Sequence, residues 1–243
     1  MTDPQTFAQN RPSALARLMA GIAEHAPDTT AGPVDDTPNP DDPGHPEYHR
    51  RQRAEFALGR LTNATPYRYR NATTTHPTIQ AWADRAAEDI RSAGFLVLNG
   101  TIGTGKTHHA YGALRRIAEA GPRRFELIAT TAPDMYGRLR PGGSDRGTEY
   151  ELDRLCRVPL LLLDDLGTEK LSEWTEEATY RLINERYNEC LPMIITTNYL
   201  VRAAEGTDLV TRLGERLASR IAQAADIVTL NGPDRRRHLG VVA

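Results

Sequence analysis

The sequence predicts a three-layer α/β fold in which helices cover both faces of a central, parallel, five-stranded sheet. Short apolar runs alternate along the chain with longer segments of helical periodicity, as in sheets whose parallel strands are joined by helices. The runs are apolar at nearly every position, which is typical of strands buried on both faces. The predicted strands are 95–98, 125–129, 159–164, 193–197 and 226–230, and the predicted helices are 82–91, 106–120, 173–190 and 209–224.

A small N-terminal helical region is predicted to precede this domain, which covers residues 66–243. Within 1–27, a short helix is expected because apolar residues recur at helical spacing, at Leu15, Leu18, Met19 and Ile22. This stripe packs either on the main domain or on another protein. Residues 28–46, rich in Pro, Asp and Gly, are predicted to form a disordered linker. A second helix is predicted at 48–61, with basic residues at 49–53. It lies in the segment 47–65, which is expected to bind a partner. Alternatively, the basic residues only form a charged face in contact with solvent.

The composition is that of a soluble globular protein, with 39% hydrophobic and 26% charged residues among 243. No run approaches the roughly 18 apolar residues of a membrane helix, and the chain does not begin with a signal-peptide pattern. Cys156 and Cys190 lack metal-ligand spacing, which favours packing roles in a reduced, cytoplasmic protein. Residues 1–46 carry seven acids and two arginines, whereas the remainder is mildly basic, which permits nucleic-acid contact without requiring it.

A glycine-rich loop follows the first predicted strand and leads into a helix. It matches the pattern GxxxxGK[ST], in which backbone N–H groups surround phosphates and the helix N-terminus adds favourable partial charge. Lys106 is expected to reach the β- and γ-phosphates of ATP, and the Thr107 hydroxyl to ligate Mg²⁺. The predicted phosphate-binding residues are Gly100, Thr101, Ile102, Gly103, Thr104, Gly105, Lys106 and Thr107.

Two acids follow the most apolar run, at the edge of the sheet where α/β proteins bind ligands. Asp164 is the candidate for the Mg²⁺ shell, and Asp165 is placed to orient or deprotonate the attacking water. The water-activating role is more often filled by the longer Glu. Slow hydrolysis, or hydrolysis that needs a partner, is therefore expected.

Other candidate residues follow later strands and helices. Asn198 ends the fourth predicted strand, where its amide could contact both the water and the γ-phosphate. Arg216 and Arg220 lie four residues apart on one helix face, so that they either pair with surface acids or one of them enters the ATP site of a neighbouring subunit. The cluster at 235–237 offers a further cation for nucleotide or for a phosphate backbone.

This ordered set of motifs resembles the AAA+ ATPases of the DnaC/IstB type, which include bacterial and phage helicase loaders. The segment 180–198 is especially similar to the helix, strand and sensor of that family. The resemblance covers about residues 60–238 and implies an ASCE-type P-loop fold without a C-terminal helical lid. It also implies that 100–107 is Walker A and that Asp164 and Asp165 form Walker B. Three further residues gain roles from it, Asn198 as sensor 1, Arg220 as arginine finger and Arg236 as a sensor-2-like arginine.

The resemblance implies a loader that binds a hexameric replicative helicase through its N-terminal region and self-assembles with ATP sites between subunits. It would place the helicase on single-stranded DNA and release it after hydrolysis. Three alternatives stay open: an IstB-like transposition helper, a small-molecule kinase, and an adaptor that binds ATP without turning it over. No membrane partner is expected.

Overall fold

The computed structural model describes residues 15, 17, 19, 20, 39–168, 172–201 and 206–235. The chain divides into two compact units, Met1–Asn39 and Pro40–Ala243. In the first unit residues 15, 17, 19 and 20 are helical and lie within the predicted N-terminal helix. The rest of that helix, residues 28–38 of the predicted linker, and Arg236 lie outside the described residues.

The second unit contains the predicted sheet of five parallel strands, in the order β2-β3-β4-β1-β5. The strands are β1 (Phe95–Asn99), β2 (Leu127–Thr131), β3 (Leu160–Leu166), β4 (Met193–Thr197) and β5 (Ala225–Thr229). Their ends differ from the predicted ones by two residues at most. All five strands run in one direction, so their carboxyl ends meet at one edge of the sheet.

Helices cover both faces of this sheet, as predicted. They are α1 (Pro46–Ala64), α2 (Pro77–Glu88), α3 (Lys106–Glu119), α4 (Ala132–Leu139), α5 (Thr148–Arg157), α6 (Glu173–Asn188), α7 (Leu209–Leu213) and α8 (Glu215–Ala224). Alternate residues of β1 enter different cores: Phe95 and Val97 pack with α4 to α8, and Leu96 and Leu98 with α1 to α3. None of the helices in the described part of the chain has the length and apolar character needed to cross a bilayer.

Two predicted helices are corrected by the structure, and two further helices were not predicted. The helix predicted at 82–91 runs from Pro77, since proline suits the first helical turn, and stops at Glu88 because Asp89 is extended. The helix predicted at 209–224 is interrupted by Gly214, whose φ of 84° and ψ of 154° are not helical. The sequence analysis missed α4 and α5, although the Thr131 side chain caps α4 at the N–H of Asp134.

The predicted helix at 48–61 extends to Pro46–Ala64 and packs on the core of the second unit. Two of its own residues, Ala57 and Leu61, are buried in that core. Arg53 Nε donates to the carbonyl of Gly121 at 2.9 Å, just beyond the end of α3. A side chain at Gly121 would overlap the backbone of Arg50, so glycine is what allows α1 to approach this closely.

A buried arginine in the last turn of α6 contacts the backbone that leads into two strands. Arg186 is fully buried, and its guanidinium donates to the carbonyls of Leu155 at 2.9 Å, Val158 at 2.8 Å and Pro192 at 2.5 Å. These carbonyls lie at the end of α5 and just before β3 and β4. The contacts satisfy backbone acceptors that would otherwise be buried without partners. They also link the segments at which β3 and β4 begin.

Candidate nucleotide-binding site

The glycine-rich loop joins β1 to α3 at the carboxyl edge of the sheet. Gly103 and Gly105 have φ angles of 83° and 95°, a region that other residues rarely adopt. A side chain at Gly103 would also overlap the Asp234 side chain. The loop therefore requires glycine at these positions, both for its curvature and for the close approach of the segment after β5.

Lys106 is the first residue of α3 and points back into the loop. Its Nζ donates to the carbonyls of Gly100 at 2.9 Å and Thr101 at 2.8 Å, and the residue is only 6% exposed. The ammonium is thus held at the centre of the loop, beside the N-terminus of α3. Both the charge and the helix end favour an anion at this point.

Thr107 and Asp164, predicted as metal ligands, lie in direct contact. Thr107 Oγ1 donates to Asp164 Oδ1 at 3.0 Å, and Thr196 Oγ1 donates to the same oxygen at 2.6 Å. Burial raises the pKa of Asp164, and the charge of Asp165 acts in the same direction, while the two hydroxyl groups and Lys106 oppose the shift. The ionised carboxylate is therefore costly to bury and would be stabilised by a cation.

The two acids sit in a β-bulge opposite a single residue of β4. Leu163 pairs with Ile195 and Leu166 with Thr197, which leaves Asp164 and Asp165 facing Thr196 alone. Asp165 adopts a φ of 58°, and its N–H donates to Thr196 Oγ1 at 2.9 Å. Bulges redirect side chains at functional sites, and here the bulge presents Asp165 to the cleft.

Thr196 was missed in the sequence analysis. Its hydroxyl donates to Asp164 and accepts from Asp165, so that one buried side chain positions both acids. The available signal was the pair of threonines, Thr196 and Thr197, that ends a strand beginning with three apolar residues, since a fully buried hydroxyl must have a partner.

A cleft of about 460 Å³ opens between these elements. This volume lies within the range of small-molecule sites. The predicted residues Ile102, Gly103, Gly105, Lys106, Thr107, Asp165 and Asn198 line it, together with Arg235 of the predicted 235–237 cluster. Four further lining residues were not predicted: Arg68, Tyr69, His108 and Thr168. Asn198 directly follows β4 and is half-buried. The structure therefore brings the phosphate loop, the second acid and the amide to one cavity.

One wall of the cleft comes from a 3-10 turn, Tyr67–Tyr69, before α2. The Tyr69 ring stacks on the Tyr111 ring of α3, with centroids 5.1 Å apart and an interplanar angle of 10°. Burial and the nearby charge of Asp164 raise the pKa of Tyr111 to about 12, so its hydroxyl stays protonated. The alternating tyrosines and arginines at 67–70 were a signal for this wall that the sequence analysis did not use.

The segment after β5 returns to the glycine-rich loop. The Arg235 N–H donates to the Gly103 carbonyl at 3.0 Å, and the Arg235 side chain lines the cleft. Burial of the His108 ring lowers the pKa of His108, and the charge of Arg235 lowers it further. Arg235 is the residue of the 235–237 cluster that the structure describes, and it lies at the cleft.

Arg216 and Arg220 share α8, as expected, but neither lines this cleft of their own chain. The Arg220 guanidinium lies over the Tyr180 ring of α6, 5.2 Å from its centroid. Within the described residues no carboxylate lies within ion-pair distance of Arg220. One helical turn further, the hydroxyl of Tyr187 donates to Gln223 Oε1 at 2.9 Å, so α6 contacts α8 at two points.

Known proteins with similar sequences include both a helicase loader and an insertion-sequence protein. The replicative helicase loader DnaI of Bacillus subtilis is 26% identical over 149 residues, covering 58% of this chain and 47% of DnaI. The putative ATP-binding protein Rv3427c in an insertion sequence of Mycobacterium tuberculosis is 25% identical over 142 residues, covering 58% of this chain and 55% of that protein. The chain thus spans about half the length of each relative.

Solved structures agree on the AAA+ P-loop fold. The crystal structure of the DnaC helicase loader matches with a TM-score of 0.56 and 30% identity, over 68% of this chain and 100% of that one. The crystal structure of DnaI matches with a TM-score of 0.55 and 22% identity, over 73% of this chain and all of that one, which supports the fold alone. The family profile described as IstB-like ATP-binding protein matches residues 49–239. This chain therefore belongs to the IstB-like ATP-binding protein family.

Proposed function

We propose that this chain is an ATP-hydrolysing helicase loader, which binds a hexameric replicative helicase and places it on single-stranded DNA. The observation that carries hydrolysis is the bulge that presents Asp165 to the cleft, which Asn198 and Lys106 also line. A cleft that only retained nucleotide would not need an acid and an amide facing its phosphate end. Similarity to the DnaC loader over the whole of that chain favours the loading role.

The residues of the cleft then have separate roles. The loop N–H groups and Lys106 bind the β- and γ-phosphates. Asp165 orients or deprotonates a water, and Asn198 holds that water against the terminal phosphate. Arg235 or its neighbour Arg236 supplies a cation beside the glycine-rich loop.

Thr107 and Asp164 are the proposed Mg²⁺ ligands. Hydroxyl and carboxylate oxygens are the donors that Mg²⁺ prefers, and these two side chains already lie 3.0 Å apart. A bound Mg²⁺ would neutralise charge on the phosphates. It would also offset the cost of the buried Asp164 charge, which fits the raised pKa of that carboxyl.

Assembly is part of the proposal. Arg220 does not line the cleft of its own chain, and its guanidinium lies over the Tyr180 ring while the residue remains partly exposed. It is therefore proposed as an arginine finger for the ATP site of a neighbouring subunit. Residues 1–27, the linker 28–46 and the segment 47–65 are proposed to contact the helicase.

Three other functions would use the same cleft. An IstB-like transposition helper would share every ATP-site residue but bind a transposase, and the insertion-sequence relative supports it. A small-molecule kinase would transfer phosphate to an acceptor. An adaptor would bind ATP with little turnover, in which case Asp165→Glu would hydrolyse ATP faster than the wild type in single-turnover measurements.

Affinity capture with the full chain from a lysate of its natural host, with Mg·ATP, tests the choice of partner. Recovery of a replicative helicase supports the loader, and recovery of a transposase supports the helper. Purified protein that phosphorylates a nucleoside, with no stimulation of turnover by single-stranded DNA, would identify a kinase and overturn the proposal.

A further inference from the structure

One flank of α1 carries cations and an exposed ring without any acid. His49, Arg53, Phe56, Arg60 and Asn63 follow one another at spacings of three and four residues, so they form a single row along the helix. The acids of α1, Glu47 and Glu55, fall on other sides of it. This row lies beside the buried stripe of Ala57 and Leu61, and it is therefore held facing outward.

The loop between α3 and β2 adds two arginines to this row. The contact of Arg53 with the Gly121 carbonyl places the loop against α1. The charge of Arg60 contributes to lowering the pKa of Glu126, after the larger effect of its hydrogen bond with Arg124. Arg123 and Arg124 are exposed and follow Gly121 in this loop by two and three residues. The basic flank is the name used here for the surface formed by His49, Arg53, Phe56, Arg60, Arg123 and Arg124.

The charges of the basic flank are largely uncompensated. Within the described residues, Glu126 is the acid that pairs with it, through both oxygens to Arg124 at 3.1 and 3.3 Å. Arg60 and Arg123 have no ion-pair partner in the described part of the chain. A surface with four arginines and one acid attracts an anionic polymer.

The ring on the basic flank distinguishes between anionic partners. Phe56 is 65% exposed, and the Arg60 guanidinium lies 5.8 Å from its centroid. A duplex presents phosphates and grooves but keeps its base faces stacked. A single strand offers both phosphates and free base faces, which stack on aromatic rings.

We propose that the basic flank binds single-stranded DNA, with phosphates on Arg53, Arg60 and Arg123 and a base against Phe56. This inference rests on the proposed function, since it names the surface at which the loader holds its strand. It assigns this flank of α1 to DNA, so the helicase contact proposed for the segment 47–65 falls on the other exposed side of the helix. The flank lies beside the C-terminal end of α3, whereas the ATP cleft lies at the N-terminal end of that helix. Substitutions on the flank therefore leave the ATP site intact.

The test measures binding of a fluorescent oligo-dT by the full chain, by anisotropy across a salt series. The Arg60→Glu/Arg123→Glu variant is expected to bind at least ~10-fold more weakly and to lose about 0.7 from the log–log salt slope for each lost phosphate contact. Phe56→Ala is expected to weaken binding at every salt concentration without changing the slope, because stacking releases no counterions. Arg51→Glu, on the other side of α1, is the matched control and should bind like the wild type.

Several results would overturn the inference. Wild-type affinity in the double variant would show that DNA binds elsewhere, while an equal loss in Arg51→Glu would show only a general effect of charge. Equal binding of a duplex, with no effect of Phe56→Ala, would indicate backbone recognition of double-stranded DNA. Loss of helicase capture with DNA affinity unchanged would assign the flank to a protein partner. If the wild type itself fails to bind oligo-dT, the loading function fails with it, whereas failure of the variants alone leaves that function standing.

Discussion

Thr196 and Asp165 are joined by a hydrogen bond that sets the conformation of the candidate catalytic acid. The Asp165 N–H donates to Thr196 Oγ1 at 2.9 Å, and Asp165 has a φ of 58°. This conformation costs about 1–3 kcal/mol unless its surroundings enforce it. Thr196 also donates to Asp164 at 2.6 Å, so one hydroxyl links the predicted Mg²⁺ ligand to the predicted base.

Thr196→Val keeps the shape of this side chain and removes its hydroxyl. The Asp165 N–H loses its acceptor, which is expected to reduce the free energy of unfolding by about 1–3 kcal/mol. Turnover should fall by more than ATP affinity, because the acids lose their positions while the glycine-rich loop is unchanged. Steady-state ATPase assays, nucleotide titrations and urea denaturation measure these effects. Thr196→Ser should restore turnover, and a serine variant as slow as the valine variant would contradict the positioning role.

Asp165→Asn separates the chemical role of Asp165 from its backbone role. Asparagine tolerates a positive φ as well as aspartate does, so the bulge and the fold should persist. The amide cannot accept a proton, and single-turnover hydrolysis should fall by about 10²–10⁴-fold while ATP affinity stays near that of the wild type. Undiminished hydrolysis would exclude Asp165 as the base.

Lys106→Ala should abolish ATP binding. The substitution removes the cation at the centre of the loop and leaves the carbonyls of Gly100 and Thr101 without their donor. Calorimetric titration with Mg·ATP should show at least ~10-fold weaker binding, equivalent to 1.4 kcal/mol or more. Arg116→Ala, an exposed position on the same helix, is the control and should bind normally. Tight binding by the lysine variant would remove the ATP-site assignment of the loop.

Arg220→Ala should leave ATP binding intact and abolish the increase of turnover with protein concentration. A finger acts on a neighbouring subunit, and its loss typically costs about 10³–10⁵ in rate. Arg216→Ala, exposed on the same helix, is the control. Mixing Arg220→Ala subunits with Lys106→Ala subunits should recover activity, because each supplies what the other lacks. No recovery would place Arg220 outside the catalytic interface.

Tyr180 is expected to position Arg220 through the stacked ring. Tyr180→Leu should reduce the concentration-dependent increase in turnover, and Tyr180→Phe should keep it, since the ring face makes the contact. Nucleotide affinity should be unchanged in both variants. If the leucine variant behaves like the wild type while Arg220→Ala is inactive, the finger needs no support from the ring.

The two cysteines should differ in reactivity. Burial raises the pKa of Cys156 to about 11, whereas Cys190 is exposed. Since the thiolate is the reactive form, native protein at pH 8 should take up one equivalent of iodoacetamide, and unfolded protein two. Cys190→Ser should reduce native labelling to nearly zero. Rapid labelling of that variant would show that Cys156 is not buried in the native protein.

The sequence by itself determined the class of fold and the core of the candidate ATP site. Five apolar runs separated by helical segments require a parallel sheet, because strands buried on both faces need helices on each side. The glycine-rich loop, Asp164 and Asn198 were predictable because each directly adjoins a strand, and parallel strands bring their carboxyl ends together. Helix ends were harder to predict, since Gly214 and Asp89 act through backbone angles that composition does not specify.

Tertiary structure alone decided which distant residues complete the site. The bulge at Asp164 and Asp165 depends on Thr196, about thirty residues away. The register of two paired strands cannot be deduced from the sequence of either strand alone. Tyr69 and Arg235 reach the cleft from opposite ends of the domain because α1 and α3 pack together and the chain after β5 returns to Gly103. Which face of Arg220 is covered likewise followed from the packing of α8 on α6, since a ring contact between two helices depends on how they cross.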